Sequence, residues 1–322
     1  MVFKEVPLSE INFEDETFRI TEDLCLEPMV ASLQAVGQIH PVILAERRDS
    51  GPCRIVCGFR RLRALRSMGR AAAAAGFPAG RGPDELALFL LALWDKAAQR
   101  PFAPLEAARA LSTLKQACGQ SDEVLIERFL PLLGLPPHRN VLQAFLNLHM
   151  LHPELRRLMK DGHLTLSSAE RLADASLAEQ GMMAPVLCKI RLSASLQREV
   201  LELCDDLAAI HGTTAAGILN ADEILAIAGD PDLSPYQKGE RIRRHLARRR
   251  NPRLTRAQDA FFAEKKDLNL PGHVRLSPDP YFESPQLEVS FKVASAQAFR
   301  ETAEALERTA RTPALEKLFE VR

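Results

Sequence analysis

Along the first third of the chain, apolar residues alternate with polar ones in some segments and follow a helical spacing in others. Val2, Val6, Leu8 and Ile11 predict an edge strand over residues 2–11, with Pro7 at its limit. Pro28 to Val36 reads as a short helix with Met29, Leu33 and Val36 facing inward, stopped by Gly37. Val42-Ile43-Leu44 and Cys53-Arg54-Ile55-Val56-Cys57 are short apolar strands, the second preceded by a Ser50-Gly51 turn. Phe59 to Met68 has helical composition and is closed by Gly69. Ala71 to Gly82 is small and glycine-rich and receives no assigned structure. Asp84 caps an apolar helix, Glu85 to Ala98.

The pattern then becomes helical throughout. Pro104 to Leu111 opens one helix, with proline in its first turn and Glu106 early. Ser121-Asp122-Glu123-Val124 starts the next, with Val124, Ile126, Phe129 and Leu130 as its apolar face, and Leu133-Gly134 breaks it. Pro136 and Pro137 start a third through Val141, Leu142, Phe145, Leu148 and Met150. Helix, glycine turn, helix at this spacing is a helix-turn-helix candidate. Leu196 to Ile210 and Ala221 to Ala228 are helical around a polar turn, His211 to Thr214. Val274-Arg275-Leu276 is a strand, and Leu287, Val289, Phe291 and Val293 alternate along another before Ser295 caps a last helix. Two strands and a helix are too small to stand alone, so their core is completed by the rest of the chain or by a second copy.

Composition narrows the choice of function. With 322 residues the chain has room for two or three domains. Its formal net charge is zero, so any nucleic-acid contact must come from local patches. Only 6% of residues are aromatic, which argues against single-strand binding by base stacking. Cys25, Cys53, Cys57, Cys118, Cys188 and Cys204 form no C-x-x-C pair and read as reduced thiols of a cytosolic protein. The N-terminus lacks the pattern of a signal peptide, and the longest apolar stretch, Leu86 to Trp94, falls far short of a membrane span. A cytoplasmic protein without membrane contact is expected.

The chemistry centres on residues 57–70. Strand, Gly58, helix start is the geometry in which unpaired backbone N–H groups face an anion. Arg60, Arg61 and Arg63 stand early in that helix, where cations are unfavourable without an anionic partner. Together they ask for a phosphate; the alternative is an arginine-rich surface helix. On the third helix of the middle region, His138, Arg139, Asn140, Gln143 and Asn147 would form the readable face. Asn and Gln suit adenine and Arg suits guanine, which makes double-stranded DNA the expected partner. The densest basic run, Lys238 to Arg256, contains Arg244, Arg248 and Arg249 with Glu240 as its one acid. It reads either as a solvated face or as non-specific phosphate contact.

Gly37-Gln38-Ile39-His40-Pro41 followed by Gly58-Phe59-Arg60-Arg61-Leu62-Arg63-Ala64 resembles two boxes of ParB-type partition proteins. That family has a ParB/sulfiredoxin-like N-terminal domain. Its boxes, Gly-x-x-Gln-Pro and Gly-Glu-Arg-Arg-x-Arg-Ala, hold the triphosphate of CTP. Here His40 replaces Gln and Phe59 replaces Glu. The Pro-x-Glu-x-Ala-x-Ala start at Pro104, and Leu151 to Thr165 with the Ser167 to Leu172 helix, resemble the family's DNA-binding domain. The resemblance implies an α+β chain. It would comprise a mixed α/β domain (residues 1–100), an all-α helix-turn-helix domain (101–185), a helical and basic segment (186–258) and a small ββα dimerisation unit (259–322).

It further implies CTP held by Arg19, Gly37, Gln38, His40, Gly58, Arg60, Arg61 and Arg63, together with a homodimer, a partition ATPase as partner and a place on the nucleoid. The family's Glu-Asn-x-Gln-Arg segment serves metal and hydrolysis. This chain has Asp95-Lys96-Ala97-Ala98-Gln99-Arg100, so Asp95 stands in for the Glu and the Asn is missing. A lysine there repels Mg2+, which puts CTPase activity in doubt. Two prolines also sit where the family carries Lys-Ser-Arg, so the DNA site is not the usual centromere-like one. Two alternatives share the fold. One is a ParB-derived transcriptional regulator or nucleoid protein without nucleotide switching. The other is a sulfiredoxin-like enzyme using Cys57, or a nuclease; no His follows Cys57 and no carboxylates cluster at the box, so no catalytic residue is assigned.

Overall fold

The computed structural model describes residues 1–22, 25–46, 51–78, 84–279, 282, 284 and 286–320. They form two compact units, Met1–Cys188 and Lys189–Arg322. Ser50 of the predicted turn and residues 79–82 of the alanine- and glycine-rich segment lie outside the described residues.

The first unit opens with β1 (Val2–Pro7), β2 (Ile11–Asn12), α1 (Glu27–Val36), β3 (Val42–Ala45), β4 (Cys53–Cys57), α2 (Phe59–Ser67), β5 (Ala72–Phe77) and α3 (Glu85–Ala97). The strands form a mixed sheet in the order β1-β5-β3-β4-β2. β1 pairs antiparallel with β5 and β3 antiparallel with β4, while β3–β5 and β2–β4 are parallel. The edge strand expected over residues 2–11 is β1 only as far as Pro7, where a missing N–H is tolerated; Leu8–Glu10 is a 3-10 turn and Ile11 starts β2 at the opposite edge of the sheet. Val42, Leu44, Ile55, Leu62, Phe89 and Leu93 are buried where α2 packs on β3 and α3 on β4. Arg54 of β4 ties the start of α3 to the sheet. Its guanidinium reaches Asp15 at 2.7 Å and Glu85 at 3.1 Å, and lies 4.5 Å over the Phe18 ring.

Two expectations change here. Residues 72–77, left without structure above, are strand β5. Alanine is a poor strand former, so its propensity does not announce one. The position does: β5 is hydrogen-bonded by β1 on one side and β3 on the other. At Gly76 a Cβ would stand 2.8 Å from Cε1 of Phe3, whose exposed ring lies over the glycine. On α1, Leu33 alone is buried; Met29 is half-buried and Val36 faces solvent.

The unit continues with α4 (Pro104–Gln116), α5 (Asp122–Val124), a π-helical turn (Leu125–Phe129) and α6 (Leu130–Leu132). α7 (Arg139–His149), α8 (Pro153–Lys160), α9 (Leu166–Ala173) and α10 (Leu177–Lys189) follow. The π turn admits an extra residue just before Pro131, whose ring cannot sit over a regular i−4 carbonyl. It also rotates the apolar face: Leu125, Phe129, Leu130 and Leu133 are buried, and the predicted Val124 and Ile126 are only half-buried. α7 starts at Arg139 rather than at the prolines, because His138 is an extended N-cap (φ −123°, ψ 144°). Its apolar stripe of Leu142, Phe145 and Leu148 packs on α4 and α9, while Met150 lies past its end and is exposed.

The second unit contains α11 (Ala194–His211), α12 (Ala215–Leu219), α13 (Asp222–Gly229), α14 (Pro235–Arg250) and α15 (Pro252–Asp267). The antiparallel pair β6 (Val274–Pro278) and β7 (Leu287–Phe291) precedes α16 (Ala296–Ala310) and α17 (Pro313–Glu320). α11 and α13 pack on α14. Phe261, Leu268, Leu276 and Leu318 form a small core. The predicted apolar face of β7 is only partly covered: Leu287 and Phe291 are half-buried, Val289 is exposed, and Val293 lies beyond the strand, also exposed. Among the described residues no helix is long and apolar enough to cross a membrane.

Candidate functional site

β4 ends at Cys57, and the chain turns into α2 through Gly58 in the left-handed region (φ 96°, ψ 24°). A Cβ there would lie 2.7 Å from Val42 Cγ1, so the turn runs directly against β3. This close turn exposes the start of α2 to a cavity of about 740 Å³. Arg60 and Arg61 line one wall, Arg19, His40 and Pro41 another, and Asp95, Lys96, Gln99 and Arg100 from the end of α3 a third. Phe59, in the place of the family's acidic residue, is buried.

Arg60 donates to the Cys25 carbonyl at 3.0 Å and Arg61 to the Pro41 carbonyl at 3.3 Å. The buried Nε of Arg60 has no hydrogen-bond partner among the described residues. Neither guanidinium has a carboxylate ion pair among the described residues. Burial lowers the pKa of Arg61, with Asp95 and Cys57 acting in the other direction. Two cations held by neutral carbonyls at a helix start are an arrangement suited to an anion.

Not all of the predicted ligands meet here. Gln38 uses its amide on the sheet, donating to Ala74 O at 2.7 Å and accepting from Ala74 N at 2.8 Å. Gly37 does not line the cavity, and Arg63 points to Glu16 beside a different, shallower groove. Glu16 also receives Arg19 at 3.1 Å and Arg109 at 3.4 Å; Glu22 receives Arg109 at 3.3 Å and Arg156 at 2.7 Å. Burial first, and Arg109 next, lower the pKa of Arg19. This ladder joins the loop after β2, together with α2, to α4 and α8. Apart from the local Glu16–Arg19 pair, no sequence pattern announces it, because Arg63, Arg109 and Arg156 lie far from Glu16 and Glu22 along the chain.

Cys57 is inert. Burial, and then Asp95, push its thiol up to about 12, so almost no thiolate exists near neutral pH. This removes the nucleophile that the sulfiredoxin-like alternative needs. Mg2+, which the family resemblance implies, does not fit the cavity. Asp95 is exposed and accepts from Gln99 at 3.1 Å, and the next side chain is a lysine. Among the described residues no three His, Cys, Asp or Glu side chains are grouped to hold a metal.

On α7, Arg139, Asn140 and Gln143 are exposed, as is His138 at its cap. The side chains of Arg139 and Asn140 have no hydrogen-bond partner among the described residues. Gln143 donates to Asn147 at 2.7 Å, and Asn147 to Asp174 at 3.1 Å, so this end of the face is internally tied. In the second unit the basic run meets acids that its own sequence does not contain. Arg243 pairs with Glu199 at 2.9 Å, Arg250 with Asp206 at 2.8 Å and Arg248 with Asp259 at 3.3 Å. Arg244 is exposed and Arg249 half-buried, and neither forms an ion pair among the described residues.

Among solved structures, the chain is similar to the C-terminally truncated chromosome-partitioning protein ParB from Caulobacter crescentus complexed with CTP-gamma-S. Identity is 20%, the match covers 58% of this chain and 99% of that one, and the TM-score is 0.27. For the same protein complexed to the centromeric parS site the values are 21%, 56%, 91% and 0.32. A Pnob8-like ParB-N domain is 14% identical over 62% of this chain and 88% of that one, with a TM-score of 0.34. No protein-family model and no curated protein matches the chain.

Proposed function

We propose that this chain is a ParB-type DNA-binding protein of chromosome or plasmid partition, whose N-terminal cavity takes CTP. The observation that carries the reading is the pairing of Gly58 with Arg60 and Arg61. A left-handed turn against β3 brings the start of α2 to a cavity, and two guanidiniums there are bonded only to backbone carbonyls. Arg60, Arg61, His40 and the backbone at Gly58 would hold the phosphates, and bound CTP would act as a switch rather than as a reactant. The exposed Arg139, Asn140 and Gln143 would read base edges, with Arg244, Arg248 and Arg249 on the phosphates. The partly covered β7 face fits a homodimer, and a partition ATPase would be the protein partner. The nucleoid is the expected location.

One observation favours a regulator without nucleotide switching: Asp95, Lys96 and Phe59 stand where the family uses Glu, Asn and Glu. In both readings DNA is the partner.

Two measurements test the proposal. In calorimetry, CTP binds and ATP does not, and Arg60→Ala weakens CTP binding by about tenfold or more, the size expected for losing a charge-assisted contact. No binding of either nucleotide to the wild type would leave Arg60 and Arg61 a structural pair. Incubated with fragmented genomic DNA, the wild type retains a discrete set of fragments. Arg139→Ala weakens binding to those fragments by about tenfold. Uniform retention of all fragments would sink the sequence-reading role of α7.

A further inference from the structure

We propose that Lys96 takes the place of a divalent cation in the cavity, so that the chain binds a nucleoside triphosphate without magnesium. The inference rests on reading the cavity as a nucleotide site. A triphosphate carries several negative charges, and a protein neutralises them with a metal held by carboxylates or with its own cations. This cavity is built for the second solution.

Its carboxylates are unsuited to a metal. Glu106, 2% exposed, stands behind Lys96 and Arg100, and both of its oxygens are occupied. Oε1 faces Lys96 Nζ at 3.1 Å and Arg100 Nη2 at 2.9 Å; Oε2 accepts from Arg100 Nη1 and Ala103 N, each at 3.0 Å. Asp95 is left, exposed and bonded to Gln99, with a fixed ammonium on the adjacent residue. A divalent ion at Asp95 would meet that ammonium as a like charge.

The cations are suited to phosphate. Lys96 and Arg100 share one carboxylate, so their combined charge exceeds that of their partner. Lys96 is 8% exposed, and its ammonium therefore acts through poorly screening surroundings. Its ammonium forms an ion pair with Glu106 at 3.1 Å while the residue lines the cavity, where its N–H donors would meet phosphate oxygens. Glu106 thus fixes the lysine without cancelling the site.

Calorimetric titration of the full chain with CTP, once in excess MgCl2 and once in excess EDTA, tests this. The dissociation constants are expected to agree within about threefold. Lys96→Met is expected to weaken binding by about tenfold in both buffers, and Lys96→Arg, which keeps the charge on Glu106, to restore most of it. Thermal melts of each variant separate a lost contact from a lost fold. Binding that disappears in EDTA overturns the proposal and leaves the nucleotide reading standing. Binding in neither buffer overturns both.

Discussion

Gly58→Ala is expected to destabilise the first unit by about 2–5 kcal/mol and to abolish anion binding in the cavity. Two costs combine. A non-glycine residue in the left-handed region loses about 1–2 kcal/mol. The new Cβ would also lie 2.7 Å from Val42 Cγ1 and 3.1 Å from Val42 Cβ. Val42 is fully buried in the centre of the sheet and β-branched, so it cannot swing away, and overpacking of this kind costs about 1–3 kcal/mol. Any relief must come from moving the start of α2, which displaces Arg60 and Arg61. Urea unfolding of the variant, with an unchanged slope and a lowered midpoint, measures the loss. A variant within about 1 kcal/mol of wild type that still binds CTP would show that the turn is not the constraint described here.

The second large effect is expected at Glu106, which joins the end of α3 to the first turn of α4. Its carboxylate holds Lys96, Arg100 and the Ala103 N–H while almost fully buried. The last of these is half of a capping box, since Ala103 has no side-chain oxygen to return the bond. Glu106→Ala leaves the buried ammonium of Lys96 without its counter-charge, and removing one partner of a buried pair costs about 3–5 kcal/mol. Arg100 escapes part of this penalty because half of its side chain is in solvent. The double variant Lys96→Met with Glu106→Leu removes both buried charges and is expected to recover much of the loss. If the double variant is no more stable than Glu106→Ala, the cost lies in packing at the α3–α4 junction and not in the stranded charge.

Elements whose cause is local were legible along the chain. Gly58 after an apolar strand, Asp84 before Glu85, Ser121 before Asp122 and the Leu142–Phe145–Leu148 stripe are signals carried within a few residues. Each appears in the structure as the turn, the caps and the buried face they predict. The start of the proposed nucleotide cavity was legible for the same reason, because Arg60 and Arg61 stand at the wrong end of their helix for a cation without a partner.

Tertiary structure decided what depends on distant neighbours. Ala72–Phe77 is a strand because β1 and β3 bond it on both sides, whatever alanine prefers. Gln38 and Arg63 leave the pocket because Ala74 and Glu16 satisfy them first. The basic run of α14 is partly neutralised by Glu199 and Asp206, which no window on its own sequence contains. Lys96 is the sharpest case. Along the chain it is only an obstacle to a metal; the fold supplies Glu106, ten residues later, and turns it into a fixed cation at the wall of the cavity. Propensity and capping act within a turn of helix, whereas charge pairing and sheet hydrogen bonds act through space, so only the folded chain could assign them.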